Sequence, residues 1–226
     1  MSVAQAVCGG PAPGPAADPA TVRRLARYDR KVTASLLVKP LTAEGFDALA
    51  ALFKEGGDPR SCWCMFWRLR GKDFSAAKVP ELRGRLAGLA DGPLAPGLIA
   101  FRGGRPVGWC SLGPREDFER LEHSRVIPRV DDQPVWSIVC FAVSKTARGE
   151  GVAAALLDAA AKWAGKQGAR ILEAYPVEAD PGSTVSPESA YTGTLPMFER
   201  AGFKVVSATD SKANGRRRVV VRRDLR

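Results

Sequence analysis

Arg148-Gly149-Glu150-Gly151 is the segment of this chain best equipped for chemistry. Glycines placed just ahead of a helix leave backbone N–H groups uncovered, and the helix dipole adds partial positive charge at the same end. With the Arg148 guanidinium, these groups form a seat for phosphate. The spacing has neither the Gly-Lys-Ser/Thr ending of a P-loop nor the third glycine of the dinucleotide fingerprint. A second notable segment is Ser61-Cys62-Trp63-Cys64-Met65-Phe66-Trp67-Arg68. Cysteines one residue apart suggest metal, but a tetrahedral zinc site needs a second close pair, and the only histidine, His123, stands alone. No metal is expected, and the segment reads as a hydrophobic plug on a sheet. Glu173 lies among apolar neighbours in a strand. Burial there would raise its pKa towards that of a working base; an outward, solvated position is the competing reading.

These residues need elements to position them. Ile138 to Val143 reads as a hydrophobic strand leading into the glycine loop. Val152, Leu156, Ala159, Ala160 and Trp163 then fall on one face of a 3.6-residue period, which predicts an amphipathic helix that Gly165 and Gly168 end. Ala169 to Tyr175 reads as the next strand. Strand, glycine loop, helix, strand is a βαβ unit with parallel strands and a right-handed crossover. Elsewhere, Thr33 to Lys39 reads as a strand. A helix opening near Thr42 places Phe46, Leu49 and Phe53 on one face. A second helix is expected over 72–89, with Pro80 at a kink or boundary. Leu98–Arg102 and Pro106–Leu112 flank Gly103-Gly104 as an antiparallel hairpin. Residues 1–30, rich in Pro, Ala and Gly, read as a disordered leader, with a single domain over 31–226.

Arg148-Gly149-Glu150-Gly151-Val152-Ala153 resembles the Arg/Gln-x-x-Gly-x-Gly/Ala signature of the GCN5-related N-acetyltransferase (GNAT) superfamily. Leu195-Pro-Met-Phe-Glu-Arg-Ala-Gly-Phe203 matches a second element of that family, a short helix ending in Gly-Phe. The two lie in family order, and the resemblance covers about residues 33 to 223. A Trp-Cys-x-x-Phe-Trp-Arg stretch, with Gly-Trp-Cys and Tyr-Thr-Gly, is similar to a bacterial subgroup of GNAT-like proteins. The resemblance implies an α/β (α+β) GNAT fold: a mixed, mostly antiparallel, splayed sheet around a central parallel βαβ unit, in the order β-α-α-β-β-β-α-β-α-β. It implies acetyl-coenzyme A as cosubstrate, with the pyrophosphate on the amides of Arg148 to Ala153. The pantetheine arm would pair with the backbone of Phe141, Ala142 and Val143, where a strand amide polarises the thioester carbonyl. The acceptor would lie beside Trp63, Phe66 and Trp67, with Trp109 and Tyr175 as further walls.

The implied reaction moves acetyl to a primary amine of a small molecule or peptide, directly, in a ternary complex. Fixing both partners can supply roughly 7–11 kcal/mol of the barrier. Many relatives carry a tyrosine four residues before the Gly of Gly-Phe to protonate the departing thiolate; here that residue is Phe198. Tyr191, Glu173 and Cys140 are the substitutes for acid or base work, with Cys140 also readable as a small buried hydrophobe. The missing tyrosine supports a second reading, a GNAT-like module that binds acetyl-coenzyme A or a partner without turnover.

The chain has 226 residues, of which 45% are hydrophobic and 26% charged, as expected of a globular domain with a sizeable core. No run of 18 apolar residues marks a membrane span. Met1 to Cys8 lacks the features of a secretory signal, and five irregularly spaced cysteines do not suggest a disulfide framework. Cytoplasm is the expected location. From Ser211 onward, seven basic residues face only Asp224, so more than half of the net +10 belongs to a terminal hairpin over about 203–223. That hairpin reads as a solvated basic edge that resists strand-to-strand association. A nucleic-acid patch is the lesser reading, and a field that steers an anionic cofactor is a further one. Exposed edge strands are compatible with a homodimer.

Overall fold

The computed structural model describes residues 36–55, 59–179 and 185–226. The expectations for residues 1–30 and for the start of the first strand lie outside the described residues. Seven strands form one sheet in the order β1-β2-β3-β4-β5-β7-β6. They are β1 (Leu36–Pro40), β2 (Gly97–Arg102), β3 (Arg105–Pro114), β4 (Trp136–Val143), β5 (Ile171–Ala174), β6 (Lys204–Ala213) and β7 (Arg216–Asp224). All neighbours pair antiparallel except β4 and β5.

Each face of the sheet carries a core. On one face, α1 (Phe46–Lys54), α2 (Pro59–Cys62), α3 (Gly71–Ala76) and α4 (Val79–Ala90) supply side chains including Leu49, Phe53, Leu82 and Leu86, which join Ile99, Trp109, Val139 and Tyr175. The predicted face of Phe46, Leu49 and Phe53 is buried. The single helix expected over 72–89 is two, because Ala77 and Lys78 are extended and Pro80 lies in the first turn of α4. Proline fits that turn, where its missing N–H has no intrahelical partner to lose. Among the described residues no helix is long and apolar enough to cross a membrane.

α5 (Glu119–Glu122), just ahead of β4, adds Leu121 to the core that α1 and α4 cover. On the other face, α6 (Val152–Lys166) lays Val152, Leu156, Leu157, Ala160, Ala161 and Ala164 on Ala100, Leu112, Ile138 and Leu172. Trp163 is only partly buried, against the Trp136 ring. Gly165 stays helical, and the turn that ends α6 is made at Gly168, with φ +87°. The start of α6 approaches β3 closely, since a Cβ on Gly108 would stand 2.5 Å from Val152 Cγ1 and 2.9 Å from Leu156 Cδ1. Gly108→Ala is therefore expected to destabilise the protein by about 1–3 kcal/mol, the usual cost of overpacking. Urea unfolding measures this.

The terminal hairpin differs from its predicted role. β7 is not an edge: it enters between β5 and β6, burying Val219, Val220 and Val221. Arg218 is 5% exposed, and Arg222 bonds Glu173 and Asp131. Three valines in a strand bounded by charges fit a two-sided interior strand, and several of the arginines are structural partners rather than solvated charges. Two short helices, α7 (Pro187–Ala190) and α8 (Leu195–Arg200), lead into this hairpin.

Candidate active site

The glycine loop takes the form that its composition requires. Gly149 and Gly151 have φ of +75° and +78°, and a Cβ on either would meet no atom within 4 Å. Gly151 caps the N-terminus of α6. The first N–H groups of that helix have no intrahelical acceptor, and Arg148, Gly149, Glu150 and Gly151 are exposed around them. Glu150 is tied to Arg102 by its side chain and its carbonyl, so its charge is neutralised beside the loop. The loop thus offers backbone donors, a helix dipole and an exposed guanidinium. This set suits a diphosphate, and no side chain fills it.

The loop opens onto a cleft of about 350 Å³ whose lining includes Phe141, Ala142, Val143, Arg148, Ala153 and Tyr191. A bulge creates the opening. Ser111 pairs with Cys140 and Leu112 with Ile138, leaving Val139 unopposed. Pairing of β4 with β5 ends at Ile138–Ala174, so β4 turns away from its parallel neighbour at the bulge. Residues 191–195 cross the resulting gap. The Phe141 N–H donates to the Tyr191 carbonyl at 2.6 Å, while Val177 exchanges backbone bonds with Gly193 and Leu195. This bears on the expected pantetheine contacts, because the Phe141 amide already has a partner. The Ser144 N–H bonds Val107 on the β3 side, so strand alternation directs the Val143 N–H to the open edge.

Across Tyr191 lies a second cleft of about 380 Å³, lined by Pro59, Ser61, Cys62, Cys64, Phe66, Trp67, Phe74, Cys140 and Tyr191. Trp63 and Cys64 carry φ of +46° and +54°, an uncommon conformation outside glycine. Consecutive left-handed residues tighten the chain so that Cys62 and Cys64 reach this cleft. Phe66 and Trp67 line it, whereas Trp63 turns into the core between Phe46 and Phe53. Trp109 is fully buried and donates to Cys64 Sγ at 3.1 Å, so it supports the cleft from behind.

The sequence model of the acetyltransferase (GNAT) family matches residues 60–185, more than half of the chain. The protein belongs to the GNAT acetyltransferase family. Its fold is similar to the NatC complex bound to Gag peptide and CoA, at 15% identity and a TM-score of 0.50, over 85% of this chain and 99% of that one. It is also similar to a GNAT-family acetyltransferase from Bordetella pertussis, at 16% identity and a TM-score of 0.50, over 83% and 95% of the two chains. No curated protein matches the sequence. The mixed sheet with one parallel pair is the GNAT fold.

In this GNAT protein the candidate proton carriers occupy three different settings. Phe198 is fully buried between Phe141 and Phe203, so the usual tyrosine position is part of the core. Tyr191 borders both clefts, and its hydroxyl accepts from Arg218 Nη2 at 3.1 Å. Arg218 has no carboxylate partner among the described residues and is one buried cation that sequence reasoning missed. Only its place in a run of arginines was visible. Cys140 lines the second cleft, with its sulfur 3.8 Å from that of Cys64. Cys64 is pushed well above the ordinary thiol range, first by its bond with Cys140 and further by burial.

Glu173 and Tyr175 line neither cleft. Both are fully buried, and Glu173 Oε1 accepts from Arg115 at 2.8 Å and Tyr175 at 2.6 Å. Its Oε2 accepts from Arg222 at 2.7 Å. Arg115 also bonds Glu122, and Tyr175 lies 2.8 Å from Ser137 Oγ. Burial, followed by the Glu173 charge, pushes the Tyr175 phenol well above its usual range. The mid-strand carboxylate is therefore an ion-pair centre with both oxygens taken, and Tyr175 is a buried strut rather than an acceptor wall.

Proposed function

We propose that this protein is an acetyl-coenzyme A-dependent N-acetyltransferase that acts on a primary amine of a small molecule or peptide by direct transfer in a ternary complex. The observation that carries the reading is the unfilled glycine loop at the α6 N-terminus, opening onto the cleft along the free end of β4. Arg148 and the amides of Gly149 to Ala153 would hold the diphosphate. Ala142 and the Val143 edge would flank the thioester arm, with Val143 N–H rather than Phe141 N–H as the available strand donor. The amine approaches from the Phe66–Trp67 side. Its lone pair forms the C–N bond as the C–S bond breaks. Tyr191 gives its proton to the leaving thiolate, and the nitrogen gives up one proton to restore the phenol. Arg218, donating to the phenolic oxygen, holds that hydroxyl between the clefts and offsets the charge left on it.

Tyr191→Phe is expected to lower kcat by about 10²-fold, the lower range for loss of a general acid, with coenzyme A affinity unchanged. Thiol release and calorimetry together measure this; an unchanged kcat removes Tyr191 from the role. Phe198 and the capped Phe141 amide favour a second reading, in which the protein binds acetyl-coenzyme A without transferring acetyl. Coenzyme A binding with no thiol release from a broad amine panel selects that reading. Failure to bind coenzyme A rules out both.

A further inference from the structure

Among the described residues, the acceptor-side cleft is lined by rings, thiols and hydroxyls, with no carboxylate and no imidazole. Ser61 and Tyr191 supply the hydroxyls, and Pro59 also lines it. Glu173, which lines neither cleft, spends both oxygens on Arg115, Tyr175 and Arg222. Glu188 borders only the cofactor-side cleft, and Glu55 accepts from Ser144. The bond with Cys140, followed by burial, pushes the Cys64 thiol well above its ordinary range.

Three of the aromatic rings that line the cleft already face arginines. Arg120 stacks 4.0 Å over the Phe66 ring and lies 5.7 Å from Phe74, while Arg218 lies 5.4 Å over Tyr191. Aromatic faces attract cations, but arginines occupy those of Phe66, Phe74 and Tyr191, and their charge repels an arriving ammonium. Apolar walls penalise that ammonium further.

We infer that the acceptor is a weakly basic α-amine on an apolar body: a hydrophobic amino-acid amide or a peptide N-terminus with an apolar first side chain. The inference rests on the acetyltransferase reading and narrows it. With no carboxylate or imidazole among the described residues that line the cleft, the amine that suits it is one that arrives with its lone pair free. At pH 7.5 roughly a third of an α-amine is free base, against about one part in a thousand for a lysine-type amine. The Trp67 indole N–H supports the same class. Trp67 lines the cleft, and its indole N–H is buried without a hydrogen-bond partner among the described residues; an α-amine derivative carries a carbonyl next to its amine carbon that can accept from such a donor. The step balances as before: C–N forms, C–S breaks, Tyr191 protonates the thiolate, and the nitrogen loses one proton.

The test compares three probes with saturating acetyl-coenzyme A: phenylalanylglycinamide, Nα-acetyl-phenylalanyl-lysinamide and spermidine. Phenylalanylglycinamide is expected to show the highest kcat/KM, at least about tenfold above the lysinamide, because greater nucleophilicity recovers only part of the protonation difference. Spermidine should stay at background. For the first probe, kcat/KM should rise about tenfold per pH unit and level off at that amine's own pKa. Preference for either strongly basic amine, or a break at a different pH, overturns the inference. So does coenzyme A binding without thiol release from any of the three. Absence of coenzyme A binding overturns the acetyltransferase reading beneath it, and the two failures are distinguished by calorimetry.

Discussion

Gly151→Val should weaken coenzyme A binding by about 10²–10⁴-fold while leaving the protein folded. The effect follows from the backbone rather than from packing. At φ +78° a β-branched residue is strongly disfavoured, so the loop rotates towards negative φ and turns its N–H groups away from the anion. Charge-assisted hydrogen bonds contribute about 1.5–3 kcal/mol each, and losing two of them gives the stated range at about 1.4 kcal/mol per tenfold. The stability cost is bounded at about 1–2 kcal/mol, because the added Cβ meets nothing within 4 Å on an exposed loop. Gly88→Ala is the control: Gly88 lies on the exposed face of helix α4 with open space around it. It should leave affinity unchanged and add about 0.5–1 kcal/mol of stability. Calorimetry and urea unfolding on both variants separate the two effects, and unaltered affinity in Gly151→Val would remove the loop from the binding site.

That prediction rests on the most legible part of the sequence. The loop, the preceding strand and α6 are encoded locally, within about thirty residues, where periodicity and glycine placement speak directly. Even there the boundary at Gly165 was misplaced, because one glycine in an alanine-rich helix costs only about 1 kcal/mol. Legibility falls with sequence separation. Glu173 meets Arg115 across 58 positions and Arg222 across 49, and no pattern in a single strand announces partners at that distance. The interior placement of β7 has the same origin: a terminal hairpin can add to a sheet by either strand, and charge-flanked valines fit both outcomes. The aromatic segment is conspicuous in the sequence as a unit, but which rings face the cleft depends on left-handed turns at Trp63 and Cys64. Neither residue type advertises that conformation. The Tyr191 carbonyl on the Phe141 amide is a backbone contact, so side-chain identities could not reveal it.

Glu173→Leu should cost about 3–5 kcal/mol of stability, the usual consequence of removing one partner from a buried ion pair. Arg115 is 1% exposed and would lose one of its two carboxylates, while the Tyr175 hydroxyl would lose its 2.6 Å acceptor. Arg222 retains Asp131 at 2.7 Å, so the loss falls on the fully buried half of the network. Adding Arg115→Met to Glu173→Leu should cost less than the sum of the two single changes, since an apolar pair leaves fewer uncompensated charges. Urea unfolding of the four proteins gives the cycle. Kinetics then separate structure from catalysis. With Glu173 an ion-pair centre, Glu173→Gln studied well below its melting temperature should retain turnover per folded molecule within about threefold, with an unshifted pH–rate profile. A general base at this position would instead cost about 10²–10⁴-fold and remove one limb of the profile. The carboxylate ties β5 to β7 one residue before the point where pairing of β4 with β5 ends, so the loss on removing it is one of stability rather than of chemistry.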